Sequence, residues 1–354
     1  MTASQTSLHL DVASRSLPVL GQQRDITYHA TEPKRILNGP ETTGMGFWSI
    51  NPYVGCAFGC TYCYARYAHR YVMERAASAP DQAGRRDPGV PALAPWLAFE
   101  RQIIVKEHAA VALRRSLRQR CASPLGPGDT IVIGTATDPY QPAERRFRVT
   151  RGILEVLGEH PGLDIVIITK SPLITRDIDV LAAISRGARL SVHLSLITLD
   201  RELARRIEPR APTPEARLRA LQRLRAAGID AGVNCMPVLP GITDRPRDLD
   251  ALVQRVAAAG ATYVGACALR LRHTARERYL PWVAEEFPHL AERYRRAYAR
   301  GHQPSDEYRQ RLASLVRHLC ERHGVRYGSY EPEDEREAPT GVMASGPEQL
   351  ALGL

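Results

Sequence analysis

The sequence predicts an α/β protein built on a partial (β/α)6 barrel, with an arm before the barrel and a helical extension after it. From residue 128 onward, short apolar runs that follow Gly or Asp recur at the length of buried strands. Amphipathic stretches of helix length separate these runs. Strands that are apolar throughout need cover on both faces, and alternating helices supply it. These observations together favour a parallel βα array.

The same patterns divide the chain into four parts. Residues 1–45 are polar with little periodicity, so we expect an irregular N-terminal arm. The barrel is predicted over 46–271, with the segment 76–95, rich in Pro, Gly and Ala, as a loop or lid. A helical extension is predicted over 272–330, and residues 331–354 are expected to form a disordered tail.

Six strands are expected in the barrel. The first is expected just before Cys56. The other five are the apolar runs 130–136, 163–170, 188–196, 229–239 and 261–271. A full eight-unit barrel takes about 250 residues, so six units fit the available chain better. No GxGxxG follows any of these strands, which argues against a dinucleotide-binding fold.

Helices are predicted between the strands and in the extension. The stretch 143–160 carries apolar residues at helical spacing, and so does the stretch 214–228. The second of these begins after the cap residue Thr213, has proline in its first turn and ends at glycine. In the extension, breaks are expected near Pro281 and Pro288.

Composition limits the classes of protein and partner. The chain of 354 residues has a formal net charge of +10 and is 44% hydrophobic. It contains no run of about 18 apolar residues, which argues against a membrane span. Its N-terminus lacks a basic start followed by an apolar stretch, so we expect a cytoplasmic protein. The positive charge suits a nucleic-acid partner, although it also suits an arginine-rich solvated surface.

Three of the seven cysteines lie in one short segment, GCAFGCTYCYAR, with the spacing Cys-x3-Cys-x2-Cys. An odd number of clustered cysteines argues against a disulfide framework and favours a metal. Structural zinc takes four ligands, and the chain has no second CxxC, although His69 could be a fourth ligand. Three thiolates on a four-iron cluster would leave one iron open for a small molecule. The alternative is a non-enzymatic zinc-binding nucleic-acid module.

Two of the other four cysteines are expected to lie in the core. Cys235 and Cys267 lie in apolar strands, where a thiol behaves as a small hydrophobic side chain. Cys121 and Cys320 show no partner pattern.

The cysteine segment resembles the signature of the radical S-adenosylmethionine (SAM) superfamily, Cys-x3-Cys-x-aromatic-Cys, with Tyr62 at the aromatic position. The wider segment NPYVGCAFGCTYCYAR is similar to the spore-photoproduct-lyase-like branch, as are GTATDPYQPAE, TKSP and EPRAPTPEAR. The resemblance spans about residues 32–290. It implies a [4Fe-4S] cluster on the three cysteines and SAM as the cofactor. The implied chemistry is reductive cleavage of SAM to a 5′-deoxyadenosyl radical, which acts on a substrate.

The resemblance also implies roles for residues near the C-terminal ends of the strands, where the functional groups of βα barrels gather. The metal ligands implied are Cys56, Cys60 and Cys63. The cofactor-binding residues implied are Tyr62, Thr137, Asp138, Lys170, Ser195, Glu208 and Arg210, and Tyr64 is a candidate catalytic residue in hydrogen transfer. The same residues also fit structural roles, with Asp138 as a helix cap, Ser195 bonded to backbone and Tyr64 in packing.

The substrate, the electron donor and the oligomeric state are not specified by these motifs, and nucleic acid is the candidate substrate. One position departs from the branch. The lyase returns a hydrogen atom to its product radical from a cysteine near the end of the second strand, where this chain has Thr135. A threonine O–H bond is much stronger than a thiol S–H bond, so we expect that this protein is not itself a spore photoproduct lyase.

Overall fold

The structure is a computed structural model that describes residues 19–43, 46–66, 94–118 and 125–328. The tail, Cys121, His69 and all but the last two residues of the predicted lid lie outside the described residues. The chain divides into two compact units. One comprises Met1–Gly59 and Ala65–Val192, and the other comprises Cys60–Tyr64 and His193–Leu354.

A small sheet in the first unit includes part of the predicted irregular arm. Its order is β1 (Val19–Gln23), β2 (Ile26–Thr31), β6 (Gln102–Lys106) and β5 (Tyr53–Val54). Strands β1 and β2 form an antiparallel hairpin, and β2 runs parallel to β6. The expectation of an irregular arm is therefore wrong for the residues of these two strands.

The hairpin is held by alternate side chains of β2. Ile26 and Tyr28 are buried in one cluster with Tyr53, Ile103 and Val105. This alternation is the period-2 pattern of a strand with one buried face. The partner strand β6 lies far along the chain, so local sequence alone did not reveal the pairing.

The remaining strands of the first unit begin the predicted βα array. They are β3 (Leu37–Asn38), β4 (Trp48–Ile50), β7 (Thr130–Ile133), β8 (Asp164–Thr169) and the first part of β9 (Arg189–Ser195). Strand β4 runs parallel to β7, and β7 runs parallel to β8. Strand β4 is the strand expected before Cys56.

Short helices connect these strands. They are α1 (Pro40–Thr43), α2 (Pro95–Arg101), α3 (Ala109–Arg118), α4 (Ala143–Phe147), α5 (Val149–Gly158), a 3-10 helix (Pro172–Asp177) and α6 (Ile178–Ile184). The single helix predicted over 143–160 is broken at Arg148, which has a left-handed φ of 50°. The buried Glu144 carboxylate accepts hydrogen bonds from the backbone N–H groups of Thr150 and Arg151, and so satisfies donors at the start of α5.

The second unit continues the alternation. Its strands are the end of β9, then β10 (Asp230–Val238), β11 (Tyr263–Ala268) and β12 (Arg326–Tyr327). Strand β10 runs parallel to β11, which runs parallel to β12. The helices are α7 (Arg201–Ile207), α8 (Pro214–Ala226), α9 (Pro246–Ala258), α10 (His273–Glu286), α11 (Pro288–Ala297) and α12 (Asp306–Arg322).

Helix boundaries in this unit follow the sequence signals with one exception. Helix α8 begins as predicted, with the Thr213 side chain accepting a hydrogen bond from the Ala216 N–H. Helix α10 ends before Pro288 as expected, but it runs through Pro281. The expected break at Pro281 is therefore wrong, and the helix gives up one backbone hydrogen bond there.

Strands β4, β7, β8, β9, β10 and β11 alternate with helices along the chain, which confirms the predicted α/β class and its six βα units. In the part of the chain that the structure describes, no helix has the length and apolar character required to cross a membrane.

Candidate active site around the cysteine segment

The first cysteine follows a tight backbone turn after β5. Gly55 has a φ of +84°, and a Cβ atom there would lie 2.7 Å from the carbonyl oxygen of Phe99. Only glycine fits this combination of a left-handed conformation and a close backbone approach. The Cys56 N–H donates to the same Phe99 oxygen over 2.9 Å. The backbone at the first thiol is thus fixed against α2.

Two side chains from the segment after β7 hold the peptide groups on either side of Cys56. The Thr137 hydroxyl donates to the Gly55 carbonyl oxygen over 2.6 Å. The Gln141 amide donates to that oxygen over 3.0 Å and accepts from the Ala57 N–H over 2.9 Å. Gln141 is fully buried, so these bonds are shielded from water. Thr137, which is predicted to bind the cofactor, thus contacts the backbone of the cysteine segment.

Asn51 lies between β4 and β5, a few residues before the cysteine segment, and is hydrogen-bonded to the residues that follow β7. Its amide donates to the Thr135 hydroxyl over 3.0 Å, and its carbonyl oxygen accepts from the Ala136 N–H over 2.7 Å. Thr135 is therefore a buried partner in a hydrogen-bond network.

Asp138 joins the C-terminal ends of β7 and β8. Its carboxylate accepts hydrogen bonds from the Thr169 hydroxyl, the Lys170 N–H and the Tyr140 N–H, at 2.7 to 2.9 Å. Burial raises the pKa of Asp138, and these bonds oppose that effect. Both carboxylate oxygens are used within the protein, so Asp138 fixes the backbone at Lys170.

In the second unit, the part of the segment from Cys60 to Tyr64 is attached to the end of α7. The Thr61 N–H donates to the carbonyl oxygen of Ile207 over 3.0 Å. The Cys63 N–H donates to the carbonyl oxygen of Cys60 over 3.3 Å, which closes a short turn. Cys60 is buried, and Cys63 is partly exposed.

Tyr62 is held by a buried ion pair at the residue after α7. Its hydroxyl donates to Glu208 Oε1, and the Arg217 guanidinium donates to Glu208 Oε2. All three side chains are buried. Burial and the neighbouring Glu208 carboxylate raise the pKa of Tyr62 well above its ordinary value, so the phenol stays protonated.

Arg217 extends this contact to the end of β9. It donates to the carbonyl oxygen of Ser195 over 2.9 Å and to that of Pro212 over 2.9 Å. Two predicted residues, Tyr62 and Glu208, are thus joined directly, and Arg217 also bonds the backbone of the predicted residue Ser195.

Two further predicted residues differ in exposure. Tyr64 is half exposed, and Arg210 lies half-buried in the turn between α7 and α8. Among the other cysteines, Cys235 is buried as expected, whereas Cys267, also expected in the core, is partly exposed. Cys320 is buried in α12.

The cysteine segment supplies the donors that an iron–sulfur cluster takes. Its three cysteines are thiols rather than members of disulfides. Clustered thiolates are the preferred donors of iron–sulfur clusters. Over the described ranges, no group of three His, Cys, Asp or Glu side chains is already arranged to hold a metal ion. The donor chemistry of the segment fits a cluster.

Sequence reasoning did not single out Gln141, Arg217 or the hydroxyl of Thr61. The first two stand inside GTATDPYQPAE and EPRAPTPEAR, the segments that carry the family resemblance, and their buried bonds now give a physical reason for those residue types. The available signal for Arg217 was a charged residue at the fourth position of helix α8, one turn after the Thr213 cap.

A βα array with three closely spaced cysteines after its first strand is typical of enzymes that bind an iron–sulfur cluster. The model of the radical SAM superfamily matches residues 50–253 of this chain. The chain belongs to the radical SAM superfamily and is a radical SAM enzyme.

Related sequences extend the comparison over most of the chain. The uncharacterized protein Rv2578c of Mycobacterium tuberculosis is 36% identical over 322 residues, which cover 90% of this chain and 86% of that protein. The uncharacterized protein MJ0683 of Methanocaldococcus jannaschii is 27% identical over 211 residues, which cover 60% of this chain and 67% of that protein.

Among solved structures, spore photoproduct lyase in complex with dinucleoside spore photoproduct matches with a TM-score of 0.59 and 15% identity. A variant of that lyase with bound SAM and the dinucleoside matches with a TM-score of 0.60 and 15% identity. Each match covers 92% of this chain and 88% of the lyase chain. At this identity the likeness is one of fold, and it confirms the spore-photoproduct-lyase-like architecture.

Proposed function

We propose that Cys56, Cys60 and Cys63 bind a [4Fe-4S] cluster and that the protein reductively cleaves SAM. The observation that carries this proposal is the cysteine segment itself. Its three thiols fall within eight residues, and the backbone at Cys56 and at Thr61 is fixed by buried hydrogen bonds. A fixed backbone limits the positions that the thiols can reach, which suits a cluster with one open iron.

When bound, the cluster supplies the electron that breaks a carbon–sulfur bond of SAM and releases a 5′-deoxyadenosyl radical. The protein's part is to bind and orient the cofactor and to exclude water. We assign the Lys170 ammonium to the carboxylate of SAM because it lies at a strand end and Asp138 fixes its backbone. Ser195, at the end of β9, is assigned to the ribose, and Tyr62, held by Glu208, to the adenine.

Anaerobic reconstitution tests this proposal. We expect a brown protein with four irons and four sulfides that forms 5′-deoxyadenosine when it is given SAM and a strong reductant. A colourless protein with one zinc and no 5′-deoxyadenosine would favour the non-enzymatic zinc-binding module instead.

Nucleic acid is the substrate class that we propose. The net charge of +10 is one support. A second is the segment after β11, where Arg270 and Arg272 are exposed and the Leu271 N–H donates to the carbonyl oxygen of His302 over 2.7 Å. Burial lowers the pKa of His302, and the charges of Arg272, Arg270 and Arg309 lower it further, which indicates positive potential there.

Salt dependence separates this substrate class from a protein or small-molecule substrate. Binding through phosphate contacts weakens steeply as salt rises, because counterions are released. We expect single-stranded DNA to bind at low salt, and we expect replacement of Arg270 and Arg272 by Ala to reduce the slope of log Kd against log salt by about two. Absence of binding at low salt would exclude nucleic acid.

The electron donor is unspecified, and a cytoplasmic location is proposed from the clustered thiols, to be checked by cell fractionation.

A further inference from the structure

Thr61 lies between two of the cysteines, and its hydroxyl is buried without a hydrogen-bond partner in the part of the chain that the structure describes. The residue is 1% exposed. Its Oγ1 atom makes no hydrogen bond with any residue that the structure describes. The backbone of the residue is fixed, because its N–H donates to the carbonyl oxygen of Ile207 over 3.0 Å.

A threonine at this position is costly unless its hydroxyl finds a partner. Buried polar groups in native proteins are paired in the large majority of cases, and an unpaired one loses its hydration with nothing in return. Valine has nearly the same shape and the same β-branched backbone preference, and it would avoid this loss. The packing around Thr61 therefore gives no reason for a hydroxyl.

The chain neighbours of Thr61 point to the partner. Cys60 precedes it directly, Cys63 follows two residues later, and the Cys63 N–H closes the turn on the Cys60 carbonyl oxygen. Once these thiols bind iron, the sulfur atoms beside this short turn carry negative charge and accept hydrogen bonds. Hydrogen bonds to cluster sulfurs are among the factors that set the reduction potential of a cluster.

We infer that the Thr61 hydroxyl donates a hydrogen bond to a sulfur atom of the cluster bound by Cys60 and Cys63, and thereby raises the reduction potential of that cluster. The bond is stronger to the reduced cluster, which is more negative, so it stabilises the reduced state. Thr61 is a positioning and tuning residue in this inference, which rests on the proposed function.

The test compares Thr61→Val, which removes only the hydroxyl, with Thr61→Ser, which keeps it. In reconstituted protein, we expect the Val variant to bind four irons but to show a more negative potential in a titration followed by electron paramagnetic resonance. The Ser variant should stay close to wild type. In apo-protein, the Val variant should melt at a higher temperature than wild type, because it buries no unpaired hydroxyl.

Thr150→Val is the matched control. Its hydroxyl is also buried, but it already donates to the Pro139 carbonyl oxygen over 2.5 Å. This variant should lower the melting temperature of the apo-protein and leave the cluster potential unchanged. Opposite effects of the two Thr→Val changes on apo-protein stability would separate a hydroxyl kept for the cluster from one kept for the fold.

A wild-type potential and an unchanged resonance spectrum in the Thr61→Val protein would overturn the inference. Loss of iron in the Val variant with retention in the Ser variant would support it, since the hydroxyl would then be needed at the cluster. If wild-type protein bound no iron, the proposed function would fail first, and the iron analysis would show that before any variant was compared.

Discussion

The thiols at positions 56, 60 and 63 differ in their surroundings but are equivalent in their proposed role. Cys56 and Cys60 are buried, and Cys63 is partly exposed. A three-cysteine cluster has no spare protein ligand, so each replacement by Ala should abolish the intact four-iron cluster. Iron and sulfide analysis after anaerobic reconstitution checks this.

Cys235→Ala and Cys320→Ala are the controls for these variants. Both positions are buried cysteines away from the segment, and burial raises the pKa of Cys235 to about 12 and that of Cys320 to about 11, so both thiols stay protonated. These variants should keep four irons. Full iron content in a Cys60→Ala protein would refute the ligand assignment.

Lys170 is a further residue whose side chain we expect to contact the cofactor, through the carboxylate of SAM. Lys170→Ala should leave the cluster intact, because the contact with Asp138 is made by the backbone N–H and survives the change. It should weaken SAM binding, since the cofactor carboxylate would lose a cationic partner. The rate of 5′-deoxyadenosine formation, measured over a range of SAM concentrations, checks this.

Lys34→Ala removes an exposed lysine of the same unit and should leave that concentration dependence unchanged. A Lys170→Ala protein with wild-type kinetics at low SAM would remove Lys170 from the cofactor site.

We expect the buried side chain of His193 to make the free energy of unfolding depend on pH. Burial lowers its pKa to about 3, whereas an unfolded histidine titrates near 6.5. Because the folded pKa lies below the unfolded one, the contribution of His193 is complete above about pH 6.5 and is lost as pH falls toward 3, by at most about 1.4 kcal/mol per pH unit.

Urea unfolding at pH 7 and pH 5 measures this loss. His193→Gln should reduce the difference between the two pH values. His318→Gln, at an exposed position on α12, should keep the wild-type difference. An unchanged pH dependence in the His193 variant would show that other groups dominate.

At the scale of elements, one arginine joins a helix, a strand end and the cysteine segment. Arg217 in α8 pairs with Glu208, which holds Tyr62, and it also bonds the Ser195 carbonyl oxygen at the end of β9. Arg217→Met should destabilise the protein by about 3–5 kcal/mol, because it leaves the buried Glu208 carboxylate without its cation. Chemical denaturation of the apo-protein checks this.

Arg219→Met is the matched control on the same helix, at an exposed position. It should change stability by less than about 0.5 kcal/mol. Equal stabilities of the two variants would contradict the structural importance assigned to the buried pair.

At the scale of the whole molecule, we expect this protein to share the architecture of spore photoproduct lyase but not its repair reaction. The chain shares its architecture with spore photoproduct lyase at 15% identity, but the sequence resemblance aligns Thr135, rather than a cysteine, with the expected hydrogen donor of the lyase branch. The structure uses Thr135 as a hydrogen-bond partner of Asn51. We therefore expect reconstituted protein to cleave SAM without repairing spore-photoproduct dinucleotide, as measured by release of thymine dinucleotide.

Multiple-turnover repair by the unmodified protein would contradict this expectation. It would point to a hydrogen donor on another strand, where the partly exposed Cys267 of β11 is the first residue to replace. Cys267→Ala would then abolish repair without changing the iron content.

The sequence by itself determined the class of the fold, its βα order and the spacing of the three cysteines. Each of these follows from signals that are local in the chain. Strand β8 contains the continuous apolar run 165–168, helix α8 carries its own cap at Thr213, and the three thiols fall within eight residues of the chain. Such local patterns can be recognised without knowing which distant residues pack against them.

Only the tertiary structure decided the hairpin β1–β2, the break at Arg148 and the contacts of the predicted site residues. The hairpin depends on β6, and the break depends on the Glu144 carboxylate, which also accepts a hydrogen bond from Tyr53, 91 residues away in the chain. The sequence could suggest that Asp138 and Glu208 matter, but it could not tell that their oxygens are taken by Lys170 backbone and by Tyr62. The physical reason is that hydrogen bonds and burial depend on distance in space, which the order of residues fixes only for near neighbours in the chain.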